Sequence, residues 1–145
     1  MSPEEKAPIL LCLDIESGSE DLVRYAMAEA VRSERPLQVL SVLPKVRGEK
    51  SHAGARERLD AMVSRAVEAT GASGSPELIV EISHGQRVED EILRQIESLQ
   101  PAMVIMGRRR HRGKEHMFIQ SSTACVLADL SVPVLVVPIP AEEKK

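Results

Sequence analysis

Aromatic side chains are almost missing from this chain, which has one Tyr, one Phe and no Trp in 145 residues. A flavin sandwiched between rings, or unpaired bases on an aromatic platform, would have nothing to stack on. Cysteine is nearly as scarce. Cys12 and Cys125 lie far apart in apolar stretches and form no Cys-x-x-Cys pair, so they read as small hydrophobes bound for the core. No apolar run approaches the ~18 residues of a membrane span. The N-terminal Met-Ser-Pro-Glu-Glu-Lys lacks the basic and then apolar pattern of a leader, and the expectation is a soluble, cytoplasmic protein with no membrane partner. A large charge of one sign is absent too, since a net charge of −3 gives no global reason to expect nucleic acid or an anionic surface.

Catalytic constellations are also missing. His52, His84, His111 and His116 have no metal-ligand spacing; His111 and His116 are five apart, off a shared helical face. No Ser-centred nucleophile elbow and no paired carboxylates appear, so the expectation is a protein without catalytic machinery and without a metal.

What is present is an aliphatic core, with 43 % of residues apolar and most of these Val, Ile, Leu, Met and Ala. The length suits one domain over residues 1–145, with a core at 6–140 and a frayed tail from Ala141 to Lys145. Ile9 to Leu13 is a continuous apolar run of the kind found in strands buried on both faces. Ser17-Gly-Ser-Glu20 has capping-box spacing and opens a helix whose Leu22, Val23, Ala26, Met27, Ala30 and Val31 recur at helical intervals up to the interruption at Pro36. Leu37 to Leu43 reads as a second strand ending at Pro44. After a loop over Lys45 to Ser51, a second helix carries Leu59, Met62, Val63, Ala66 and Val67 and stops near Gly71. A third strand (Leu78, Val80, Ile82), a third helix (Val88 to Leu99, halted by Pro101) and a fourth strand (Met103 to Met106) follow. A loop from Gly107 to Phe118, a short helix with Val126, Leu127 and Leu130, and a last strand from Val134 to Val137 between Pro133 and Pro138 complete the chain.

This alternation means βαβ units, and right-handed crossovers point to an α/β fold: an open five-stranded parallel sheet in the order 3-2-1-4-5 with helices on both faces. In such sheets ligands sit beyond the carboxyl ends of the strands where the order reverses, here between strands one and four, which brings Asp14 and Gly107 together. A phospho-receiver shares this topology but needs an acidic cluster after strand one, an Asp after strand three and a Lys after strand five. Ile15, Ser83-His84-Gly85 and Pro138 stand there instead.

The loop after the fourth strand holds the chemistry. It carries Arg108, Arg109, Arg110, Arg112 and Lys114 and ends in Ser121, Ser122 and Thr123 at a helix start, where free N–H groups and hydroxyls suit a phosphate. The same residues also read simply as a solvated loop and a helix cap. Arg108 to Arg112 further suggest nucleic acid, a reading weakened by the lack of interleaved aromatics and by the acidic chain.

Five segments stand in a telling order: Ile9 to Asp14, Val39 to Leu43, Gly85 to Ile92, Val104-Ile-Met-Gly107 and Val132 to Pro138. In that order the chain resembles the universal stress protein family along nearly its whole length. The resemblance implies an adenine nucleotide alpha-hydrolase-like sheet, a stress-response or regulatory role without catalysis, and a homodimer paired through the last strand, Val134 to Val137. Family members that bind ATP carry Gly, two residues, Gly, nine residues, Gly, then Ser or Thr. This chain keeps Gly107 and Ser121 at that spacing but has Arg110 and Gln120 at the second and third glycines; Gly113 matches a further glycine common in the loop. Side chains at those positions disfavour positive φ and fill the space a phosphate approaches. The branch without an intact glycine motif is therefore the nearer likeness, and no tightly bound cofactor is expected, only weak adenine nucleotide (ATP or AMP) or another phosphate-bearing anion held by the arginines. Carried over residue by residue, the resemblance puts Asp14 and Val42 against the base and Met106 and Gly107 on the sugar side. It puts Arg109, Ser121, Ser122 and Thr123 against ribose or phosphates, with Gly113 in the loop. Core packing is the plain alternative for Val42 and Met106. A nucleotide-binding signalling protein that uses the arginine loop is the alternative role, and the identity of any protein partner stays open.

Overall fold

A proline stands just ahead of every strand of the sheet. In a computed structural model that describes residues 6–13, 20–44, 49–71, 76–83, 88–109 and 131–139, the strands are β1 (Ile9–Cys12), β2 (Leu37–Pro44), β3 (Glu77–Ser83), β4 (Met103–Arg109) and β5 (Val134–Ile139). Pro8, Pro36, Pro76 and Pro133 immediately precede four of them, and Pro101 comes two residues before the fifth. Proline cannot continue a helix and holds its predecessor extended, so it marks where a strand begins without removing a donor from the strand interior. The proline carbonyls are used: Ile9 N–H donates to Pro36 O (2.9 Å), Ala102 N–H to Pro8 O (2.8 Å) and Val104 N–H to Pro133 O (2.9 Å).

The sheet order is β3-β2-β1-β4-β5 and every pairing is parallel. Helices α1 (Glu20–Ser33) and α2 (Glu49–Thr70) pack on one face, where Leu22, Val23, Ala26, Met27, Leu59 and Val63 meet Ile9, Leu11, Val39, Val80 and Ile105. Helix α3 (Val88–Leu99) covers the other face, its Ile92 and Ile96 packed with Leu10, Leu40, Val104 and Met106. Successive β1 residues thus enter opposite cores, as the uninterrupted apolar run requires. Among the described residues no helix is long and apolar enough to cross a membrane.

All three helices among the described residues end on a left-handed residue. Gly71 (φ 69°) closes α2 with a bond from its N–H to Val67 O (3.0 Å), and Gln100 (φ 51°) closes α3 in the same way onto Ile96 O (2.9 Å). At α1, Glu34 (φ 57°) sits in a Schellman motif: Glu34 N–H donates to Val31 O and Arg35 N–H to Ala30 O.

Several boundaries differ from the sequence expectation. Helix α1 stops at Ser33, before Pro36 is reached, because the Schellman bonds close it, and Val31 lies outside the buried stripe at 68 % exposure. Helix α2 starts at Glu49, inside the expected loop. Strands β4 and β5 run on together past their expected ends, pairing Gly107 with Val137, Arg108 with Pro138 and Arg109 with Ile139. The expected short helix carrying Val126, Leu127 and Leu130, and Cys125, lie outside the described residues.

Candidate functional site

The reversal of strand order lies between β1 and β4. From β1 the chain crosses to β2 on one side, while β4 flanks β1 on the other, with Cys12 level with Leu40 and Met106. Helices on the two faces diverge at such a point and leave a crevice at the carboxyl ends. Leu13 N–H donates to Leu40 O (2.8 Å), so the backbone of β1 stays tied to β2 for one residue beyond the strand.

Of the residues expected here, Val42, Met106, Gly107 and the backbone of Arg109 are described. Met106 is buried against the α3-side cluster, with Val42 half-buried beside the same cluster and Gly107 half-buried at the carboxyl end of β4. Their placement serves packing, with Met106 and Gly107 in the carboxyl-terminal half of β4 beside β1. Asp14, Gly113, Ser121, Ser122 and Thr123 lie outside the described residues. One expectation is corrected: Gly107 and Arg109 do not open the loop. Both remain in β4, because β5 extends equally far and supplies ladder partners as far as Ile139. The described ladder runs as far as Arg109 and Ile139, and the motif position held by Arg110 lies outside the described residues.

Two charged groups near this end of the sheet were not singled out from the sequence. Helix α3 follows β3 and begins at the carboxyl-end rim, and its first turn contains Glu89, Asp90 and Glu91, of which Glu89 and Glu91 are buried. The Glu91 carboxylate accepts three hydrogen bonds from Arg94, two at 2.9 Å and one at 3.2 Å, and one from Gln95 at 2.9 Å. The only advance signal was spacing, since Arg94 and Gln95 follow Glu91 by three and four residues. Acidic groups in a first turn also suit the helix dipole. Cys12 adds no nucleophile to the crevice: burial pushes its thiol up to about 12, which keeps it protonated and unreactive. Among the described residues no group of three or more His, Cys, Asp or Glu side chains is placed to hold a metal.

With crevice, strand order and closing strand in place, the comparison with known proteins decides the family: residues 7–138 match the universal stress protein family. The chain belongs to that family. Its sheet is the adenine nucleotide alpha-hydrolase-like sheet of universal stress proteins. A universal stress protein from Archaeoglobus fulgidus superimposes with a TM-score of 0.69 at 24 % identity, covering 90 % of this chain and 98 % of that one. The Archaeoglobus fulgidus protein in complex with dAMP gives a TM-score of 0.66 at 23 % identity, over 90 % of this chain and 97 % of that one. A universal stress protein in complex with cAMP gives 0.66 at 17 % identity, over 90 % and 95 %. At these identities the likeness carries the fold. No curated protein matches the chain.

Proposed function

We propose that this universal stress protein is a non-catalytic stress-response or regulatory protein, acting as a homodimer, whose crevice between β1 and β4 is a degenerate nucleotide site that does not hold ATP tightly. The observation that carries the reading is the set of residues around the end of β4. Gly107 is retained there, but Arg110 and Gln120 stand in the sequence where the family motif has its second and third glycines. A backbone that wraps phosphates needs residues free to take positive φ and to approach an oxygen without a side chain between. Arginine and glutamine oppose both, while the arginine cluster still supplies charge for a smaller or differently posed anion. These substitutions support a place in the branch of the family without the intact glycine motif.

A second reading, in which the site binds an adenine mononucleotide as a signal, draws on the two relatives seen with dAMP and cAMP. A monophosphate has one phosphoryl group to satisfy and asks less of the loop backbone than a triphosphate does. With one Tyr and no Trp, the protein absorbs weakly near 280 nm, so nucleotide carried through purification would dominate its spectrum. The expected result is no 260 nm peak and no thermal stabilisation by ATP. A peak removed by nucleotide extraction would overturn the loss of tight ATP binding. Stabilisation by AMP or cyclic AMP, but not ATP or polyphosphate, would establish the second reading, because a ligand that binds only the folded state raises Tm with concentration.

A further inference from the structure

We draw no further inference here: the strongest candidate, the groove between the outer face of α3 and the start of β5 lined by Asp90, Leu93, Arg94, Glu97, Gln100 and Val132, carries nothing because no described residue shows what covers it.

Discussion

Ser41 lies in β2 at 1 % exposure, and its hydroxyl has no hydrogen-bond partner among the described residues. Burying an unpaired hydroxyl costs free energy that a methyl group of similar size would not, so Ser41→Ala should raise stability by about 1 kcal/mol. Thermal unfolding checks this; a lower Tm for the variant would mean that the hydroxyl is satisfied after all. Cys12 gives a chemical test at the same scale. Burial pushes its thiol up to about 12, so the thiol form dominates at pH 8. Iodoacetamide at that pH should therefore leave Cys12 unmodified in the native protein and label it in denaturant, as read by peptide mass spectrometry. Rapid native labelling would show that the β1 end opens to solvent. Other residues were less legible from the sequence. Val31 follows the buried Ala30 and belongs by periodicity to the edge of the apolar stripe, yet it is exposed. Periodicity fixes the direction of a helix face but not its margin, which depends on how wide the covering surface is.

Helix α2 contains two glycines with opposite demands. Gly54 sits within the helix, where the missing side chain costs conformational entropy, and a Cβ added there would meet nothing within 4 Å. Gly71 ends the helix at φ 69°, and a Cβ there also meets open space. Sterics being equal, Gly54→Ala should stabilise by about 0.5–1 kcal/mol. Gly71→Ala should destabilise by about 1–2 kcal/mol through the left-handed backbone alone. Urea unfolding of both variants separates the effects; equal signs would refute the assignment of the helix end. The same argument applies to α1 and α3, which close on Glu34 and Gln100 rather than glycine. Glu34→Gly should stabilise by about 0.5–1 kcal/mol, because the ion pair it gives up with Lys6 is long, at 3.7 Å, and largely exposed. Strand starts were readable because prolines precede the strands, whereas the start of α2 and the ends of β4 and β5 were not. Each of those ends depends on the other strand, and no local residue announces that Pro138 can stay in a ladder.

At the scale of the molecule, strand order was legible because five strands and right-handed crossovers leave few arrangements, and the crevice follows from that order. The glycine-motif positions after Arg109 were read from the family resemblance and lie outside the described residues, so any nucleotide contacts there rest on that resemblance. Edge strands carry the remaining expectation, the homodimer. The sheet has two edges: β3 bears Glu77 and Glu81, carboxylates that discourage pairing, while β5 reads Val134-Leu-Val-Val137 without a charge. The register sharpens the contrast. Val104 is level with Val134 and donates to Pro133 O, so in a parallel ladder the odd-numbered residues of β5 turn their polar backbone groups to β4. Val134, Val136 and Pro138 face outward, and Pro138, having no N–H, gives up no ladder bond by remaining in the strand. Val136→Pro would likewise remove an outward donor while sparing the bonds to β4, and Val136→Lys would place a charge on the same edge. Both variants should turn a dimer into a monomer in light scattering with the far-UV spectrum retained, while Glu77→Lys on the opposite edge should leave the mass unchanged. A dimer that survives both Val136 substitutions would place the interface away from β5, and a monomeric parent protein would remove the dimer from the proposed function altogether.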